Sequence, residues 1–223
     1  MSKKALEHLI ESDKKIAALI KSAGPCALAK SVRLNANATP FQALAESIAH
    51  QQLTGKAAKT IWLRVLNIFE GQDFTPQQVV KCAPEKLRSA GLSGAKVLAL
   101  LDLAKQTVAG VVPSSAEAKK LSDAQLIERI SSVRGVGLWT VEMFLIFTLG
   151  RKDVMPAADY GVRNGFALLY GLKALPKPRE VLVHSAIWAP YRSYAAWYLW
   201  RAVDLARCPT PGLPSRSEKF IND

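Results

Sequence analysis

Cysteine is scarce in this chain: three occur, Cys26, Cys82 and Cys208. They lie far apart and form no C-x-x-C pair, so neither a disulfide framework nor a structural zinc site is expected. Free thiols fit a reducing compartment. Histidine is equally rare. His8, His50 and His184 fall at no metal-ligand spacing and read as structural or solvent-facing. Acidic residues are in deficit, 18 Asp and Glu against 30 Lys and Arg. No apolar run is long enough to span a membrane. The start, Met1-Ser-Lys-Lys-Ala, lacks the apolar stretch of a signal peptide, and a cytoplasmic protein is expected. Alternation of apolar and polar residues is missing too. Val111-Val112 and Val154-Met155 are too short for strands, and no repeat of solenoid type occurs.

What is present is an ordinary globular composition, 49% apolar, with a net charge of +12. A surface that basic attracts polyanions, of which nucleic acid is the usual one; a basic enzyme of another kind is the alternative. The periodicity is helical. Phe41, Leu44, Ala45 and Ile48 share one helical face, and Ile61, Trp62, Val65, Leu66 and Phe69 form a second stripe on a helix that Thr54 can cap. Thr75-Pro76-Gln77-Gln78 and Ser122-Asp-Ala-Gln125 read as capping-box starts. Pro84 opens a short helix that Gly91 ends. Ser93 starts another, with Val97, Leu100, Leu101 and Ala104 on its buried side. Val181 to Ala186 and about Tyr191 to Leu205 are also helical. The tail from 207 to 223 is read as an irregular arm, because Cys208-Pro-Thr-Pro-Gly-Leu-Pro resists regular structure. The expected architecture is all-α.

The most informative segment runs from Leu126 to Phe166. A helix ends near Ser131, Gly135-Val-Gly137 makes a tight hairpin, and a second helix begins near Leu138. Glycines two apart permit unusual backbone angles and leave no side chain between backbone and ligand. Amides at such a turn form an anion site for a phosphate. A plain αα-hairpin with capping glycines is the alternative.

Three separated stretches carry a resemblance to the helix-hairpin-helix DNA glycosylases, within them the DNA-3-methyladenine glycosylase II branch. They are Ile48-Ala-His-Gln51-Gln52-Leu53-Thr54-Gly-Lys-Ala-Ala58; Val133-Arg-Gly-Val-Gly-Leu-Trp-Thr140 continuing through Leu149-Gly-Arg151, Asp153, Pro156, Asp159 and Gly161-Val162; and Trp188-Ala-Pro-Tyr191-Arg192-Ser193-Tyr194 through Trp200. The resemblance covers about Phe41 to Leu205. It implies two helical subdomains flanking a cleft, with the helix-hairpin-helix at about residues 123–148. The approximate division is 40–150 for a central bundle and 1–39 plus 151–206 for the second subdomain.

The resemblance also implies roles. Asp159 stands where the family has its catalytic aspartate, whose carboxylate stabilises the positive charge of an oxocarbenium-like transition state or activates water. A helix N-cap is the other reading of Asp159, and the two are compatible. Trp139 occupies the place of the Schiff-base lysine of strand-nicking relatives, so nicking by that route is not expected. Its electron-rich face suits a cationic methylated purine; the alternative is a core tryptophan. Trp200 is implied to line the base pocket with Tyr194 as support, while Trp188 and Trp197 read as core. Gln51, Gln52 and Leu53 form the turn that fills the gap left by an extruded base, with Gln52 or Leu53 as the plug. Lys56, with Lys59 nearby, is read as a phosphate contact, and Gly135, Gly137 and Thr140 as holding a phosphate through amides and hydroxyl. Relatives carry a monovalent cation on carbonyls equivalent to those of Ser131, Val133 and Val136; no cofactor is otherwise implied. The implied partner is double-stranded DNA with alkylated bases, bound by a monomer. The chain departs from many relatives at Ala158, where they have a first aspartate. Cys208 is the lone cysteine of the C-terminal region, so an iron–sulfur cluster is not expected. Glycosylases of other specificity and a non-catalytic DNA-binding module remain the alternatives.

Overall fold

The computed structural model describes residues 1–34, 37–53, 55–69 and 73–207. Among them every regular element is helical, and no strand occurs. Two compact units divide the chain. One runs from Met1 to Leu34 and resumes at Leu145; the other runs from Asn35 to Phe144.

The unit from Asn35 to Phe144 contains α4 (Pro40–His50), α5 (Gly55–Asn67), α6 (Pro76–Lys81), α7 (Pro84–Ser89), α8 (Gly94–Val108), α9 (Ser115–Ala118), α10 (Asp123–Ser131) and most of α11 (Leu138–Phe147). Its core forms where α8 packs against α4, α6 and α7. Phe41, Leu44, Ala45 and Ile48 of α4 are buried, as their spacing predicts. On α8 the buried face is Val97, Leu100, Leu103 and Ala104. Leu103 therefore takes the place expected for Leu101, which is half-buried. The three neighbouring helices together centre the contact on residues 100, 103 and 104. Phe74 completes an aromatic cluster with Phe41, Trp62 and Phe69, at ring separations of 5.2–5.3 Å.

The helices start where local chemistry dictates. Thr39 and Gln42 form a reciprocal capping box with Pro40 at the first position, and Ser122 and Gln125 form another. Thr75 accepts from the Gln78 amide (3.3 Å), and Ser93 from the Lys96 amide (3.3 Å). Such caps stabilise a helix end by about 1 kcal/mol each. Thr54, read as a cap for α5, and residues 208–223 lie outside the described residues.

The other unit contains α1 (Lys3–Ser12), α2 (Lys14–Ala23), α3 (Leu28–Leu34), α12 (Tyr160–Tyr170), α13 (Pro178–His184), a single 3₁₀ turn (Ser185–Trp188) and α14 (Arg192–Arg207). Here α14 is central, packed on α12 and α2. Trp188, Ala195, Tyr198 and Leu199 are fully buried in it. The approach of α12 to α14 is very close. A Cβ on Gly165 would stand 2.0 Å from the Leu199 carbonyl oxygen.

Asp13 ties the first helices into this unit. Its Oδ1 accepts from the Lys15 amide (2.8 Å) and the Ile16 amide (3.3 Å), capping α2. Its Oδ2 accepts from the Tyr170 hydroxyl and from the Trp188 indole (3.1 Å). His184 closes the cluster, with Nε2 2.6 Å from the Tyr170 hydroxyl. Burial works to raise the Asp13 pKa, but the donors outweigh it and hold the carboxyl below its ordinary range. Of the histidines read as structural or solvent-facing, His184 thus has a definite structural place.

Candidate functional site

The hairpin lies in the unit from Asn35 to Phe144. Val133 and Val136 are buried and anchor it, while Gly135, Gly137, Leu138 and Trp139 are exposed. The Val136 amide donates to the Val133 carbonyl (3.1 Å), closing the turn. Asp102 Oδ2 accepts from the Arg134 amide (2.8 Å) and clamps the turn to α8. Only Gly135 has the left-handed angle expected of a hairpin glycine, φ +75. It is also crowded, since a Cβ there would lie 3.0 Å from the Ala99 methyl. Gly137 is different: its φ is not positive, and a Cβ would meet nothing within 4 Å. Among the described residues no contact requires glycine at 137.

The first intrahelical bond of α11 runs from the Val141 amide to the Gly137 carbonyl (3.2 Å). The amides before it lie at the positive end of the helix, beside the exposed glycines. Thr140 is 4% exposed, so what it can offer a phosphate is its backbone position in this first turn. Trp139 is 39% exposed, which removes the core alternative. The carbonyls of Ser131, Val133 and Val136 belong to the same turn. Three neutral oxygens are a donor set for a hard cation, and the Val133 carbonyl keeps a second lone pair beyond its bond to Val136. Among the described residues no group of His, Cys, Asp and Glu could hold a metal ion.

The turn after α4 sits beside the hairpin in the same unit. Gln51 Nε2 donates to the Gly135 carbonyl (3.0 Å). Gln51, expected as a DNA contact, therefore has an internal partner that fixes the turn against the hairpin. Lys96 Nζ donates to the Ala49 carbonyl (2.7 Å) and holds the last turn of α4. Neither bond is visible as a sequence motif, because the partners are 84 and 47 residues apart. Gln52 takes φ +59, the sole positive φ at a non-glycine among the described residues. Leu53 is 39% exposed, and Lys56 and Lys59 are exposed on α5.

Asp159 lies in the other unit, at the N-terminus of α12. Its Oδ1 accepts from the Val162 amide (2.8 Å) and from the Trp200 indole Nε1–H (2.8 Å). The cap reading is correct, and the cap coexists with a specific side-chain partner. Asp159 is half-buried, and Ala158 beside it is exposed. Phe147 packs on the Trp200 indole, ring centroids 5.7 Å apart at 31°. Tyr194, on the same helix, is 8% exposed; that burial fits support of the helix better than contact with a substrate. Trp188 and Trp197 are core, as their spacing predicts.

The loop leading to Asp159 is riveted to the start of α14. Arg192 grips Asp153 through Nε to Oδ1 (2.7 Å) and a second guanidinium nitrogen to Oδ2 (2.8 Å). This hydrogen-bonded guanidinium holds the Asp153 carboxyl below its usual range. The Ser193 hydroxyl donates to the Arg151 carbonyl (2.8 Å) and accepts from the Val154 amide (2.9 Å). Sequence reasoning gives Arg192 and Ser193 no role beyond their part in the resemblance. In the structure they bind one end of α14 to the loop, while Trp200, two turns on, meets the aspartate at the loop's far end.

The comparisons identify the family. Residues 45–190 match the HhH-GPD superfamily base excision DNA repair protein family. The chain is 42% identical over 178 residues to DNA-3-methyladenine glycosylase 1 of Schizosaccharomyces pombe, covering 79% of this chain and 78% of that one. It is 34% identical over 211 residues to the alkylbase DNA glycosidase-like protein mag2 of the same yeast, covering 92% and 95%. A solved structure of the S. pombe 3-methyladenine DNA glycosylase Mag1 in complex with abasic DNA superposes with a TM-score of 0.80 at 40% identity, over 92% of this chain and 98% of that one. With an all-helical fold, the glycine hairpin and a family match across most of its length, this chain belongs to the HhH-GPD superfamily of base excision DNA repair proteins.

Proposed function

We propose that this protein is a monofunctional DNA glycosylase that extrudes alkylated purines, of the 3-methyladenine and 7-methylguanine type, from double-stranded DNA and hydrolyses their N-glycosidic bond. The observation that carries the reading is the Asp159 carboxylate, held at Oδ1 by Val162 and Trp200, in a chain 42% identical to a DNA-3-methyladenine glycosylase.

The chemistry follows from charge. A methylated purine is cationic and leaves with the bonding electron pair as the C1′–N bond breaks. Positive charge then develops on the deoxyribose, and a fixed carboxylate beside it lowers the barrier without reorganising. Water adds its oxygen to C1′ and yields a proton to the carboxylate or to solvent. The products are the free base and an abasic sugar. Trp139, exposed at the start of α11, offers its face to the cationic base. Since it is not an amine, no Schiff base forms there and the strand stays intact. The hairpin amides around Gly135 and Gly137 receive a phosphate, and Lys56 and Lys59 add sequence-independent contacts. A monovalent cation on the carbonyls of Ser131, Val133 and Val136 would add positive charge at the same phosphate. Leu53, exposed beside Gln52, enters the stack where the damaged base has left. The protein acts as a monomer in the cytoplasm, on the nucleoid if the source is bacterial.

The test is chromatography of bases released from methylated duplex DNA. Wild-type protein is expected to release methylated purines and leave abasic strands that break only on heating or alkali. Asp159→Asn is expected to abolish release while abasic DNA is still bound. Unchanged release by that variant would overturn the assignment. Release of deaminated or oxidised bases in preference to methylated ones would replace the substrate class but not the mechanism.

A further inference from the structure

We infer that Gly161 is a positioning residue for this reaction: its missing side chain leaves the space through which the Trp200 indole closes on Asp159. The inference rests on the reading of Asp159 as the catalytic carboxylate, and it assigns a cause to the carboxylate's orientation.

A Cβ built on Gly161 would lie 2.7 Å from Trp200 Cδ1, 3.1 Å from Trp200 Nε1 and 3.0 Å from Asp159 Oδ1. It would thus contact both partners of the Trp200–Asp159 hydrogen bond, which is 2.8 Å long. Carbon atoms in contact prefer about 3.5–4.0 Å, so any side chain at 161 must displace the indole. Gly161 is not required by its backbone, because its φ is not among the positive ones. It lies in the first turn of α12, where alanine is otherwise the better helix former. Helix propensity and caps therefore give no reason for glycine there; the indole does.

The contrast with Gly165, one turn further on, isolates the effect. Both glycines face α14. At Gly165 the obstruction is backbone, the Leu199 carbonyl oxygen at 2.0 Å. At Gly161 it is side chain, which can swing away. A methyl at 165 must push two helices apart, whereas a methyl at 161 need only break one hydrogen bond. Gly161 thus sets the site and Gly165 sets the packing.

The displaced indole has two consequences. Asp159 Oδ1 loses the Trp200 donor while the Val162 amide stays, so its carboxylate is less firmly oriented. The Trp200 ring also leaves its seat against Phe147. Both act on the bond-breaking step, not on the hold on the DNA backbone.

The experiment combines single-turnover base release with the indole N–H resonances of the full-length protein. The Trp200 signal is assigned by its loss in Trp200→Phe. In Gly161→Ala it is expected to move upfield, as the bond to a carboxylate is lost. The single-turnover rate on methylated DNA is expected to fall by tenfold or more, with affinity for abasic DNA within twofold and a melting temperature close to wild type. Trp200→Phe removes the same bond, so the double variant is expected to be no slower than the slower single one. Four results would overturn the inference: an unmoved indole signal, a wild-type rate in Gly161→Ala, a loss of folding comparable to that of Gly165→Ala, or multiplicative losses in the double variant. Failure of the underlying reading looks different, since Asp159→Asn would then still release base whatever Gly161 does.

Discussion

Two aspartates in this protein are built alike and stand in different surroundings. Asp13 caps α2 and accepts the Trp188 indole; Asp159 caps α12 and accepts the Trp200 indole. Both lie in the unit that α14 organises. The difference is in what surrounds the pair. Asp13 is 9% exposed and is further bonded by Tyr170, with His184 against it. Asp159 is half-buried, next to the exposed Ala158 and Tyr160. A buried carboxylate whose donors hold its pKa below the ordinary value contributes stability in its ionised form. One that keeps a side to solvent can serve a substrate. The shared parts show that a cap and an indole orient a carboxyl group; exposure is what distinguishes the two.

Exchange of each carboxylate for its amide should separate the two roles most strongly. Asparagine is as good a cap as aspartate, so Asp159→Asn keeps the fold and loses only the charge. Its base-release rate is expected to fall by about 10²-fold or more, with a melting temperature near wild type. Asp13→Asn should do the reverse. It turns an amide N–H toward the Tyr170 hydroxyl and the Trp188 indole, both donors, at a cost of about 1–3 kcal/mol in a denaturation titration. Its release rate per folded molecule should not change. Matching losses of activity and stability in both variants would erase the distinction.

The largest effect on stability is expected at Gly165. Its alanine variant must separate α12 from α14 and should cost about 3 kcal/mol or more, read from chemical denaturation. The pH dependence of stability should identify Asp13 next. Its folded pKa lies below the unfolded value of 3.8, so its contribution is complete above about pH 4. It declines as pH falls through the lower, folded value. Stability measured from about pH 5 down to about pH 2 should fall less in Asp13→Asn than in wild type. The hairpin offers the smallest effect and the finest comparison. Gly135→Ala meets a left-handed backbone and should lose about 1–2 kcal/mol. Gly137→Ala meets open space and should lose about 0.5–1 kcal/mol through a poorer N-cap, yet weaken DNA binding more than its stability loss explains. If Gly137→Ala binds abasic DNA normally, the phosphate does not approach there.

Much of this is legible in the chain itself. Helix starts are readable because capping is local: Ser122 and Gln125 are three residues apart and satisfy each other. The faces of α4 and α5 are readable from periodicity. Asp159 is readable only through its spacing from the hairpin and the resemblance this carries, since an aspartate before a helix is common. Periodicity puts Leu101 where Leu103 belongs, because the buried arc of α8 depends on which helices surround it. The Asp13 cluster leaves no local signal, because Tyr170, His184 and Trp188 are more than 150 residues from Asp13. The packing of α1 to α3 is hidden for the same reason.

By itself the sequence determined the helical class, the basic charge and the glycine hairpin, which depend on residue type and on separations of a few positions. The tryptophan in place of lysine and the aspartate beyond the hairpin were legible through the resemblance. Only tertiary structure decided that Gln51 clamps the hairpin, that Arg192 and Ser193 hold the loop before Asp159, and that Gly161 leaves room for Trp200 to reach it. Those contacts join residues far apart in the chain. Their existence depends on how closely helices pack, to within a tolerance of tenths of an ångström that no periodicity encodes.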